Sequence, residues 1–156
     1  MESSKIRRLK DHCQKTGFAS PDQVARIVAA LKLGNKGFVV MGPVGSGKTT
    51  LLRSIAEAAS GPITAPASDY SATAADTELV VLDEVGGLVP AELREKRLLI
   101  GTACRPWHLG ALGLGVLSRP FLVIELGLAP GDGGLKRFIS GIRDLAKGQE
   151  LSVAGS

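Results

Sequence analysis

The sequence predicts an α/β fold with a mainly parallel sheet between helices, closed by a C-terminal hairpin. Three observations carry that prediction. Short apolar runs with the composition of buried strands alternate with segments of helical periodicity along the 156 residues. A glycine-rich stretch at 42–49 stands between one such run and one such helix. A strong turn signal, Pro130-Gly131-Asp132-Gly133-Gly134, separates two extended segments late in the chain.

Taken in order, residues 1–15 carry Lys5, Arg7, Arg8, Lys10 and Lys15 and read as a basic N-terminal arm or short amphipathic helix with a solvated charged face. Residues 16–142 form the expected domain. It opens with Ser20 as a helix cap, Pro21 at the first helical position and Gln23 closing a capping box. Val24, Ile27, Val28 and Leu31 then share one helical face, and the helix should stop near Gly34. Residues 37–41 are a buried strand, the glycine-rich loop follows, and a helix is expected over roughly 48–60, ended by Gly61-Pro62. The small, polar residues 62–77 read as loop, with a short strand near Ile63 and Thr64. Strands are expected at 79–82, 97–102 and 121–126, a helix at 90–96 and a short irregular helix at 107–117. Residues 135–142 return as the second arm of the hairpin, and 143–156 read as a frayed tail.

Composition narrows the classes. The length suits one domain with a core of its own, and the scarcity of aromatics makes that core mostly Leu, Val, Ile and Ala. Cys13 and Cys104 lie far apart in no metal-ligand spacing, so free thiols in a reducing cytoplasm are expected. The polar, basic N-terminus does not read as a signal peptide, and no stretch reaches the ~18 apolar residues of a membrane span. A net charge of +4 permits contact with nucleic acid without demanding it.

The chemistry begins at Gly42, Pro43, Val44, Gly45, Ser46, Gly47, Lys48 and Thr49, which meet G-x-x-x-x-G-K-[ST] at every fixed position. Glycines let the backbone curl until successive N–H groups face phosphate oxygens, and the helix that follows, beginning through Thr50, turns its positive dipole end to the same anion. Lys48 would reach the terminal phosphates and the Thr49 hydroxyl would ligate Mg²⁺. Downstream, the apolar strand 79–82 delivers Asp83 and Glu84 at its tip. Asp83 suits the metal shell, and Glu84 suits a general base that polarises attacking water, although a salt-bridged surface carboxylate has the same signature. Four arginines are candidates for the cation that neutralises transition-state charge: Arg94, Arg97, Arg105 and Arg119. Arg105 follows the strand ending in Thr102, and Arg119 suits service to a neighbouring subunit. His108 reads as a loop histidine, and Tyr70 is a base-stacking candidate without positional support.

The stretch beginning at Gly17, the apolar strand and the Gly-Pro-Val-Gly-Ser-Gly-Lys-Thr-Thr-Leu-Leu run ending at Leu52 resemble the nucleotide-binding core of the secretion and conjugation traffic ATPases, the RecA-like NTPases of type II and type IV secretion and pilus assembly. Val80-Val-Leu-Asp-Glu-Val-Gly-Gly87 is similar to that family's acidic strand, and residues 121–142 to its closing strands. The resemblance spans about residues 16–142. It departs at the acidic box, where 62–77 offers only Asp69 and Asp76. It departs also at the histidine box, replaced by Thr102-Ala-Cys-Arg-Pro-Trp-His108, and in lacking the large N-terminal domain. The resemblance implies a three-layer RecA-like P-loop NTPase that binds and hydrolyses ATP with Mg²⁺. In such NTPases an extra strand separates the phosphate-loop strand from the acidic strand, and a polar residue ends it to orient water; Thr102 matches that place. Assembly into a hexamer, partnership with a larger transport ATPase, and a cytoplasmic location, peripheral at the inner membrane, are also implied. The missing boxes leave a second expectation open: a nucleotide-binding regulatory or interaction protein with little intrinsic ATPase activity. A small-molecule kinase is disfavoured, because the basic residues are scattered instead of clustered over a lid.

Overall fold

A computed structural model describes residues 4–14, 18–33, 36–43, 45–59, 79–82, 97–102, 119–131 and 133–148. They form α1 (Ser4–Gln14), α2 (Pro21–Leu33), β1 (Gly37–Met41), α3 (Lys48–Ala58), β2 (Leu79–Leu82), β3 (Arg97–Thr102), β4 (Phe121–Gly131) and β5 (Gly134–Leu145). The five strands make one sheet in the order β2-β3-β1-β4-β5. The first four are parallel, and β4 and β5 form the antiparallel hairpin. The α/β fold and the closing hairpin therefore stand as expected, with a mixed sheet. The helices expected at 90–96 and 107–117, the strand near Ile63, Tyr70, Cys104 and His108 lie outside the described residues.

Alternation along the strands sorts the core. Phe38 and Val40 of β1, with Leu122, Ile124 and Leu126 of β4, face one side and pack with Val24, Ile27, Val28 and Leu31 of α2 and Leu51, Leu52 and Ile55 of α3. Every described helix contributes buried apolar residues to that one cluster. The opposite face carries Val39, Met41, Ile100, Phe121 and Val123, which are buried too.

Three local results correct or sharpen the expectations. Residues 4–14 are a helix and belong to the domain: Leu9 and Cys13 enter the core, and α1 packs across α3 and α2. Its many basic residues hide this in the sequence, because two buried positions suffice to dock so short a helix. The capping box of α2 forms in full: Ser20 N–H donates to Gln23 Oε1 at 2.9 Å and Gln23 N–H to Ser20 Oγ at 3.1 Å, an arrangement worth about 1 kcal/mol. The C-terminal strand also outruns the expected tail boundary, since β5 continues through Arg143, Asp144 and Leu145 opposite Val123, Leu122 and Phe121.

Its charged residues disguised that continuation, and partners explain it. Asp144 accepts from Lys36 Nζ and Arg26 Nη2, both at 2.8 Å, and these cations, Lys36 first, hold its carboxyl below the usual range. The outer edge of β5 is covered: Ile139 N–H donates to the Phe18 carbonyl at 2.7 Å, while Gln23 Nε2 and Arg26 Nη1 donate to the Ile139 and Ile142 carbonyls. The covering withholds a sheet edge from pairing with other chains.

Burial pushes the Cys13 thiol up from 9.0 to about 11. At pH 8 its thiolate is then about a hundredfold scarcer than that of an ordinary exposed thiol. Peptide mapping after brief iodoacetamide treatment should find Cys13 unmodified in the native protein and modified after urea unfolding; rapid native labelling would contradict its place in the core.

Candidate functional site

The parallel strands all lead toward one edge of the sheet, and β1 delivers the chain there into residues 42–49. Ligands of open α/β sheets bind at this carboxyl edge. Gly42 starts the loop under tight constraint. A Cβ there would lie 2.6 Å from Ser46 Oγ and 3.0 Å from both Cβ and the carbonyl oxygen of Leu126, closer than packed atoms tolerate. Gly45 (φ 87°) and Gly47 (φ 92°) take left-handed backbone that side chains disfavour. The Ser46 N–H donates to the Pro43 carbonyl at 3.1 Å, closing the curl. Gly47 caps α3 without a side-chain hydrogen bond, and Leu51 N–H reaches back to its carbonyl at 3.1 Å. Helix N-termini without side-chain caps present amide donors and positive dipole to an anion.

Two buried polar side chains line this curl. Lys48 is 4 % exposed, and its ammonium donates to the carbonyls of Gly42 (2.8 Å) and Pro43 (3.1 Å). Among the described residues no carboxylate pairs with it. A buried cation held only by neutral acceptors is poised to take an anion. Ser46 is fully buried, and its hydroxyl has no hydrogen-bond partner among the described residues. Leaving such a group unpaired costs about 1–3 kcal/mol, which a ligand acceptor would recover. Thr49 and Thr50 stand exposed in the first turn of α3, as a metal ligand and a phosphate contact require, and Val44 lies outside the described residues.

The remaining predicted residues divide by position. β3 stands between β1 and β2, as the strand-insertion expectation required. Thr102 ends β3 level with Met41, the last residue of β1. Leu82 ends β2 at the same edge, two strands from β1 or about 10 Å across the sheet. Asp83 and Glu84, which follow it, lie outside the described residues, as do Arg94 and Arg105. Arg97 opens β3, and Arg119 precedes β4, so both stand at the amino edge, a strand length of about 13 Å from the loop.

One arginine absent from the expected set is at the loop. Arg137 of β5 donates Nε–H to the Gly45 carbonyl at 2.7 Å, and its Cδ would be 3.4 Å from a Cβ at Gly47. Among the described residues, the acidic residue in register with the loop's root is Glu125, opposite Met41, and it is tied to Arg143 at 3.2 Å.

Comparison with protein-family models, with curated proteins and with solved structures finds no match. The resemblance to traffic ATPases therefore rests on the motifs themselves, and the geometry must carry the functional reading.

Proposed function

We propose that this chain is a small RecA-like P-loop NTPase that binds Mg-ATP at residues 42–49 and hydrolyses it, in association with macromolecular transport. The observation that carries the reading is Lys48, an ammonium buried inside its own glycine curl at the head of α3 with no carboxylate to neutralise it among the described residues. A triphosphate supplies the missing negative charge, the loop amides and helix dipole hold it, and Ser46 gains an acceptor.

The residues suit a hard cation. The Thr49 hydroxyl and the Asp83 carboxylate are oxygen donors of the kind Mg²⁺ prefers. When bound, the metal neutralises charge on the terminal phosphates. Glu84 takes a proton from the attacking water as the nucleophile approaches the γ-phosphate, and Thr102 orients that water. The β2-β3-β1 order supports these roles by spacing the strand that leads into Asp83 and Glu84 across from the loop. The amino-edge positions of Arg97 and Arg119 favour a cation supplied by a second subunit, such as a hexamer neighbour, or by a larger transport ATPase, and hence slow turnover by the isolated chain.

Glu84→Gln is the direct test. It should bind Mg-ATP like the parent while phosphate release falls at least about a hundredfold, the usual worth of a general base. Equal hydrolysis by parent and variant would remove Glu84 from the mechanism. A parent that gains thermal stability with ATP but releases almost no phosphate, even at high protein concentration, would select the regulatory or interaction reading instead.

A further inference from the structure

We propose that Arg137 is a positioning residue of the nucleotide site, coupling the C-terminal hairpin to the phosphate loop by holding Gly45 in its binding conformation. The inference rests on the reading of residues 42–49 as a nucleotide cradle.

The hairpin is longer than the sheet that carries it. β1 pairs only with residues 121–125 of β4, yet β4 and β5 continue as a two-stranded ribbon through Leu126–Ile139 to Gly131–Gly134 pairs. The ribbon therefore overhangs the carboxyl edge, where the loop lies. Phe138 packs its ring over Gly127 on the strand opposite, where a Cβ would come within 2.7 Å of the ring. That packing stiffens the ribbon next to Arg137.

A single irregularity decides which side Arg137 takes. The register shifts between Glu125 and Leu126: Glu125 faces Gly141, but Leu126 faces Ile139, leaving Ser140 as the extra residue. Ser140 Oγ donates to the Glu125 carbonyl at 3.1 Å and fixes the bulge. The extra residue resets the alternation, so that Ile142, Ile139 and Arg137 all share the helix side with α3 and the loop it begins from. Unbulged pairing would put Arg137 on the other face. Bulges re-aim side chains in this way beside functional sites.

At the loop, the guanidinium Nε–H donates to the carbonyl of Gly45, a residue at φ 87° with no side chain to hold it. The same peptide plane carries the Ser46 N–H, which donates to the Pro43 carbonyl at 3.1 Å, so the guanidinium bond and the turn bond fix one plane of the curl from both ends. The charge-assisted bond thus pre-organises the curl, and a nucleotide binds without first paying to order it. Because Arg137 acts on the loop and not on one phosphate, its loss should weaken diphosphate and triphosphate alike.

Isothermal titration calorimetry with Mg-ADP and Mg-AMP-PNP, well below the melting temperature, tests this on the parent, Arg137→Ala, Arg137→Lys and Lys136→Ala. We expect Arg137→Ala to bind both nucleotides about tenfold more weakly, Arg137→Lys to recover part of the loss, and Lys136→Ala, on the ribbon's opposite face, to match the parent. A purely structural Arg137 would lower the melting temperature and leave both affinities unchanged, which overturns the proposal. A loss confined to AMP-PNP overturns it too, by making Arg137 a γ-phosphate contact. If the parent binds neither nucleotide, the cradle reading itself fails; if the parent binds and Arg137→Ala binds equally, only the role of Arg137 does.

Discussion

Lys48→Ala is expected to abolish measurable nucleotide binding while leaving the fold intact. Among the described residues the ammonium is the one buried charge at the loop, and two backbone carbonyls hold it. Its removal strands no opposite charge among the described residues, and the exposed position of Pro43 lets water reach the freed carbonyls. The bound state loses a charge-assisted contact to the terminal phosphates in a site with little solvent. That loss is worth at least about 3 kcal/mol, or about a hundredfold in Kd. Parent protein at a hundred times its Kd gains about 2.7 kcal/mol of stability from ligand. The variant should show no nucleotide-dependent thermal shift and an almost unchanged melting temperature without nucleotide. A preserved shift would place the nucleotide elsewhere.

The largest effect on stability is expected from Phe38→Ala. Phe38 is fully buried near the start of β1, between β3 and β4, in the cluster that joins the sheet to all three described helices. Truncation removes the largest fully buried side chain among the described residues and leaves a cavity that flanking strands, pinned by parallel pairing to Leu99 and Leu122, cannot close. The cost should be about 3–5 kcal/mol, a fall of about 6–20 °C in melting temperature for a chain of this size. Urea unfolding should show a lower midpoint with an unchanged slope. Because β1 leads directly into Gly42, nucleotide affinity should fall less than stability does, provided it is measured where the variant is still folded. A loss below about 1 kcal/mol would contradict the packing.

Much of the architecture was legible because it is written in short-range pattern. Ser20, Pro21 and Gln23 specify a helix start within four residues, and both reciprocal hydrogen bonds of the capping box form. The run of Phe38, Val39, Val40 and Met41 is apolar on both faces, the mark of an interior parallel strand, and it is buried on both. Gly42, Gly45 and Gly47 are required by backbone angles and close approach, which depend on few neighbours. The basic helix α1 was harder. Leu9 and Cys13 are core residues, but in a segment dominated by Lys and Arg nothing local distinguishes two docking positions from a solvated face.

The candidate site divides along the same line. The residues of the loop itself, Gly42 through Thr50, follow from sequence, because strand, curl and helix are contiguous. The arginines do not. Arg119 and Arg97 were reasonable finger candidates by charge alone, and only strand direction places them at the far edge. Arg137 carried no local signal: it lies almost a hundred residues from the loop it touches, and its side of the ribbon depends on one extra residue, Ser140, in the partner register.

The sequence by itself determined the described strands, their order, the parallel core and the glycine curl at residues 42–49. The tertiary structure alone decided that α1 joins the core, that β5 runs to Leu145 against Lys36 and Arg26, and which arginine meets that curl. The physical reason is one of range. Periodicity, capping and glycine angles are set by atoms a few residues apart, whereas strand register and bulge position are set by hydrogen bonds between distant segments, and a shift of one residue turns every side chain beyond it to the other face.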